Sequence, residues 1–134
     1  MLDCVFCQIV SGRISCHKVF EDDSFIGFLD ISPVVEGHVL IIPKKHYRWV
    51  HEVEDFGRYW EAARKVAKAQ IKFLKAPTVI FATAGIEVPH AHIHVLPMPK
   101  KGAGEYLPGI ESATRLKMPL EELRKIAGLL RSHL

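Results

Sequence analysis

Cysteine is scarce, with three residues in 134. So small and odd a number excludes a fully paired disulfide framework and suits a reducing compartment. Long apolar runs are also missing. None approaches the roughly 20 residues of a membrane span, and the longest, such as 39–42, have the length of buried strands. Charge of one sign is lacking too: 18 Lys+Arg against 15 Asp+Glu leave a formal net charge of +3. No basic stretch interleaved with aromatics stands out, so no specific nucleic-acid partner is expected. The first residues carry no basic, apolar and cleavage-site pattern of a secretory leader. Repeats, low-complexity segments and long linkers are absent. With 49% hydrophobic and 25% charged residues, the expectation is one globular domain over 1–134, cytoplasmic and without a membrane partner.

What is present is patterned. Residues 5–10 are mostly apolar and end at Ser11-Gly12, a helical turn or two with a glycine stop. Segments 18–21 and 25–30 flank Asp22-Asp23-Ser24, which predicts a hairpin, and 38–42 is a β-branched run closed by Pro43. From Asp55 onward Phe56, Tyr59, Trp60, Ala63, Ala67, Gln70 and Leu74 recur at three and four, predicting one long helix that Ala76-Pro77 ends. A fourth strand is expected over 78–83. Residues 90–96 alternate with period two, and Pro119 opens a final helix bearing Leu123, Ile126, Ala127 and Leu130 on one face. Strands and helices do not alternate regularly. The fold class is therefore α+β, with an antiparallel sheet and helices on one side.

Histidine is plentiful, at eight residues. His90, His92 and His94 share the even face of the fifth strand, about 7 Å apart by strand rise. Three imidazoles on one face make a poor core, because each buried ring nitrogen needs a partner. Imidazole is at the same time the usual general acid/base, a nucleophile and a metal ligand. Regular strand spacing makes one ion shared by all three awkward. Cys4 and Cys7 form C-x2-C, a spacing that lets two thiolates reach one zinc and leaves two tetrahedral positions.

The run His90-Ala91-His92-Ile93-His94-Val95-Leu96 resembles the signature of the histidine triad (HIT) family of nucleotide hydrolases and transferases. Cys4-Val5-Phe6-Cys7-Gln8-Ile9-Val10 resembles the N-terminal segment of bacterial members. Phe28-Leu29-Asp30-Ile31-Ser32-Pro33, Gly37-His38 and Ile42-Pro43-Lys44-Lys45-His46 follow the family's middle block in order and spacing. The resemblance covers residues 3–99 and implies a sheet of about five antiparallel strands with one long helix and a C-terminal helix. It implies a nucleotide hydrolase or nucleoside phosphoramidase that cleaves at the α-phosphate through a nucleotidyl-histidine. His92 would be the nucleophile and His94 a donor near the phosphate or leaving group. Asp30 would accept from the ribose hydroxyls. Val5, Phe6, Ile9, Phe28 and Ile31 would form an apolar slot for a purine base, with Glu87 and Val88 beside the phosphate. His46 and His90 would join Cys4 and Cys7 around a structural zinc, with Cys16-His17 as the competing ligand pair. A homodimer is implied as well.

Two positions depart from the family pattern. Ile86 stands where an amide is usual, and Glu87 brings a carboxylate toward the phosphate pocket. They favour a rival function, a nucleotide-binding scaffold with little turnover; a nucleotidyl transferase is a third reading, which would need a second acceptor site that the sequence does not reveal.

Overall fold

A computed structural model describes residues 3–99, 115–132 and 134. The chain runs α1 (Val5–Val10), β1 (Lys18–Glu21), β2 (Phe25–Leu29), β3 (Val39–Pro43), a 3-10 turn (Val50–Glu52), α2 (Phe56–Phe73), β4 (Thr78–Ala82), β5 (Ile93–Met98) and α3 (Leu120–Arg131). The five strands form one antiparallel sheet in the order β1-β2-β3-β5-β4. This is the expected α+β architecture.

Alternation sorts the side chains between the two faces of the sheet. Phe25, Leu29, Val39, Ile41, Ile93 and Val95 pack with α2 and α3 in the main core. Ile26, Phe28, Leu40 and Ile42 face the other way and pack with Cys4 and Phe6 of the N-terminal segment. On that second face Phe28 is paired with Leu40, and Leu40 with His94. One histidine thus enters a small apolar cluster beside α1.

The expected long helix forms, but its buried stripe is shifted. Ala62, Val66 and Ala69 are buried beside Tyr59, Ala63, Ala67 and Gln70, while Phe56 is exposed. Four alanines let the helix sit close to the sheet. Two polar side chains tie it down: the Tyr59 hydroxyl donates to Ile41 O at 2.8 Å, and Gln70 Nε2 donates to Gly37 O and Val95 O at 3.0 Å each. The expected face of α3 is buried, at Leu123, Ile126, Ala127 and Leu130.

The fifth strand is displaced from the sequence expectation. It begins at Ile93 and runs through Pro97 to Met98, so His90 and His92 precede it and only His94 lies on it. Pairing with β3 covers only Ile93–Val95, so Pro97 lies beyond the end of that ladder and its missing N–H is tolerated. The histidines are accordingly not an evenly spaced row. The His92 and His94 ring centroids are 4.9 Å apart, and His90 turns away to a separate cluster.

Candidate active site and metal centre

Two sites grow from the segment 90–94. The first is built on α1. Cys4 is its N-cap, with Sγ accepting from the Cys7 N–H at 3.4 Å, and Cys7 lies one turn on. Spacing of three residues puts both thiols on one side of the helix start. His46 follows β3, and His90 precedes β5. Cys4 Sγ is 3.3 Å from His90 Nδ1, Cys7 Sγ is 3.2 Å from His46 Nδ1, and the two Nδ1 atoms are 3.1 Å apart. Tetrahedral zinc with ordinary bond lengths spaces N and S ligand atoms at about 3.5 Å. All four ligand atoms lie within 4.8 Å of one another. His90 Nε2 donates to Pro43 O at 2.9 Å, which leaves Nδ1 bare and aimed at the cluster. Burial holds His90 at a pKa of about 4, against the hydrogen bond to Pro43, so this ring is neutral. The residues therefore fit a four-coordinate Cys2His2 metal site. Cys16 lies elsewhere, beside the apolar cavity described below.

The second site lies on the same face of the sheet. His92 Nδ1 donates to His90 O at 2.8 Å, so its lone pair is on Nε2. His94 is oriented from the opposite side. The Val34 N–H donates to His38 Nδ1 at 3.2 Å, and His38 Nε2 donates to His94 Nδ1 at 2.9 Å. The chain of donors leaves the His94 proton on Nε2, which is buried without a protein partner among the described residues. Burial, then His92 and Arg115, lower the His94 pKa to about 3. Burial and the neighbouring His94 push His38 well below the usual imidazole range. Both rings are neutral at pH 7.

A cavity of about 300 Å³ opens here, lined by Phe6, Asp30, Ser32, Leu40, Glu87, Val88, His92, His94 and Arg115. An adjoining apolar cavity of about 190 Å³ is lined by Val5, Phe6, Ile9, Phe28 and Ile31, among others, and shares Phe6, Asp30 and Leu40 with the first. Phe6 joins the parts edge-on, 5.3 Å from the His92 ring and 5.7 Å from Phe28. Asp30 Oδ1 accepts from the Ser32 N–H at 2.9 Å and Oδ2 from Arg115 at 3.2 Å. Its pKa is raised by burial, with the Ser32 and Arg115 bonds acting in opposition.

All the residues expected at the slot, the carboxylate and the phosphate end thus line one continuous cleft. Ile86 is turned out of it, at 72% exposure, whereas Glu87 lines the wall. Arg48 fixes this loop by donating to Gly85 O at 2.6 Å. Sequence reasoning missed Ser32, Leu40 and Arg115. Arg115 lies 85 positions from the Asp30 it pairs with, in a stretch with no local motif.

The HIT domain family model matches residues 11–101. An uncharacterized HIT-like protein of Borreliella burgdorferi is 32% identical, covering 95% of each chain. An adenosine 5'-monophosphoramidase of Saccharomyces cerevisiae is 36% identical over 75% of this chain and 66% of its own. An adenylylsulfatase of Arabidopsis thaliana is 31% identical over 98% of this chain and 70% of its own. A HIT-like protein from Bartonella henselae superposes with a TM-score of 0.84 at 26% identity, covering 100% of this chain and 98% of the other. A zinc-bound histidine triad protein from Mycobacterium smegmatis superposes at 0.77 with 28% identity, covering 98% and 93%. On the extent of these matches the chain belongs to the HIT family.

Proposed function

We propose that this chain is a nucleotide hydrolase, a nucleoside phosphoramidase or related enzyme, acting at the α-phosphate through His92. The observation that carries the reading is the pair of fixed tautomers. His92 keeps its lone pair and His94 its proton on Nε2, and both rings line one cavity, with the His94 nitrogen itself buried. That pairing serves displacement at an anionic, tetrahedral centre. His92 Nε2 forms a bond to phosphorus as the bond to the leaving group breaks. The His94 Nε2–H donates toward the oxygen or leaving atom that gains charge. Water then attacks phosphorus as the His92–phosphorus bond breaks and its electron pair returns to Nε2; the nucleoside monophosphate is released, and the proton that water loses goes to the departed leaving group. The His92 Nδ1–H bond to His90 O supports the positive charge of the intermediate ring.

The apolar end of the cleft suits a purine base, held between Phe6, Phe28 and Ile9 and capped by the exposed Val5 and Ile31. Asp30 stands between the two cavities, where the ribose would lie. Cys4, Cys7, His46 and His90 would hold a structural zinc. With four protein ligands it would have no open position, so its part is to pin α1, and Phe6 with it, to the segment 90–94 that carries the histidines. A homodimer is part of the same reading: β4 is an edge strand, and Phe81 on it is exposed beside Trp60. Relatives named for phosphoramidate and adenylylsulfate cleavage support the reaction class.

The test is incubation with adenosine phosphoramidate, adenylylsulfate and a dinucleoside polyphosphate. Turnover of at least one is expected, with a labelled adenylyl group trapped on His92 and lost in His92→Asn. Retention of full activity by a folded His92→Asn protein removes His92 as nucleophile.

A further inference from the structure

The cleft has an unusual charge balance for a phosphate site. Two carboxylates line it, Asp30 and Glu87, and His94 is kept neutral by burial. The cation that meets them among the described residues is Arg115, which precedes α3. An incoming phosphate would otherwise face a wall of net negative charge. Arg115 is also held in place. The next residue, Leu116, donates its backbone N–H to Pro33 O at 2.7 Å, and Met118 packs on the main core. Arg115 Nη1 itself bonds Asp30 Oδ2 at 3.2 Å and Ser32 O at 3.1 Å. A guanidinium carries further donors on Nη2 and Nε, so these two bonds hold the fork without exhausting it. The side chain keeps 31% exposure, so it is reachable from the cleft.

We infer that Arg115 is an anion-binding, specificity-determining residue of this cleft, which holds a phosphate oxygen of the nucleotide while Asp30 and Ser32 fix its guanidinium. This role presupposes the nucleotide chemistry proposed above. It favours substrates with charge beyond the ribose, and it leaves recognition of the nucleoside to the apolar slot and Asp30.

Calorimetric titration with AMP and with adenosine separates the two contributions. In Arg115→Gln the AMP affinity is expected to fall about tenfold or more, the strength of one charge-assisted bond. Adenosine affinity should stay within about twofold. Arg115→Lys, which keeps the charge but not the fork, should lie between. Wild-type AMP affinity should also fall more steeply with salt than that of Arg115→Gln. Unchanged AMP affinity in Arg115→Gln overturns the assignment. So does an equal loss for AMP and adenosine, which makes Arg115 a support of Asp30 only. A wild-type protein that binds neither AMP nor adenosine overturns the nucleotide reading itself, and this role falls with it. If Arg115→Gln loses its cooperative melt, Arg115→Lys decides: AMP affinity and salt slope both equal to wild type overturn the assignment, and a loss confined to AMP supports it.

Discussion

His38 Nε2 lies 2.9 Å from His94 Nδ1, and the two buried rings are tilted by 47° at a centroid distance of 5.1 Å. The contact fixes a tautomer. His38 accepts the Val34 N–H on Nδ1, so it has a proton only on Nε2 to give, and His94 must keep its own proton on Nε2. His38 does not line the cavity, so any effect it has there passes through His94. Replacing it by Leu removes the donor and frees His94 to reverse its tautomer, which turns the Nε2 donor into an acceptor. The expected loss in kcat is roughly 10- to 100-fold, with KM much less affected. His38→Gln, which retains an N–H donor, should recover part of it. Nitrogen shifts of the His94 ring, read by NMR, should report the reversed tautomer in His38→Leu and the original one in wild type.

The same pair sets a pH dependence of stability. Burial lowers the folded-state pKa of His94 to about 3, far below its unfolded value. Between those values the unfolded chain binds a proton that the folded chain refuses. This contribution is thus complete above about pH 6.5 and is lost as pH falls toward 3. His38 acts in the same direction. Asp30 opposes them, since burial raises its folded pKa and favours the folded state as pH falls. The slope that each histidine adds rises to about 1.4 kcal/mol per pH unit as the unfolded imidazole becomes protonated below about pH 6. Urea unfolding at pH 7, 6 and 5 should give a wild-type curve steeper than that of His94→Asn, the difference growing to about one proton by pH 5. Parallel curves would mean that His94 is protonated in the folded protein.

Much of this arrangement was legible in the sequence, and what was not has physical causes. The four residues that cluster as candidate metal ligands, the lining of the apolar cavity and the order of elements follow from local spacing and from family blocks that lie in order. The start of β5 did not follow. Alternation runs through His90-Ala91-His92, yet the backbone there is committed elsewhere: the Ala91 N–H donates to Tyr47 O at 2.7 Å and the His90 N–H to Val88 O at 2.8 Å. Period two signals which side chains alternate, not which backbone groups find a ladder. Exposure of Phe56 has a similar origin, since an aromatic at helical spacing is buried only where the sheet covers the first turn. Arg115 was invisible for another reason, because a contact across 85 residues leaves no trace in a local window.

Metal removal offers an independent check on the Cys4–Cys7–His46–His90 cluster. Protein purified without added zinc is expected to carry close to one zinc per chain. Cys7→Ser should lower that content and the melting temperature together. A strong chelator should do the same to wild type, because the cluster ties α1 to the ends of two strands that are distant in sequence. The Phe6 ring packs against both His90 and His92, so loosening α1 should also weaken AMP binding. Zinc-free wild-type protein with an unchanged melt after chelator treatment would deny the cluster a structural role.

Two glycines should respond to alanine with opposite signs. Gly37 has φ of +88°, and a Cβ there would stand 2.5 Å from Leu74 Cδ1 and 3.1 Å from Pro97 Cγ. Its carbonyl accepts from Gln70, and the next residue is His38. Gly37→Ala therefore combines left-handed strain of about 1–2 kcal/mol with a clash against Leu74 at the end of α2. A loss of about 2–3 kcal/mol is expected in urea unfolding, together with reduced turnover as His38 is displaced from His94. Gly57 lies in the first turn of α2, and nothing stands within 4 Å of a Cβ built there. Gly57→Ala should stabilise by about 0.5–1 kcal/mol through helix propensity and leave turnover unchanged. If Gly37→Ala is as stable and as active as wild type, the backbone at 37–38 does not hold the histidine pair in register.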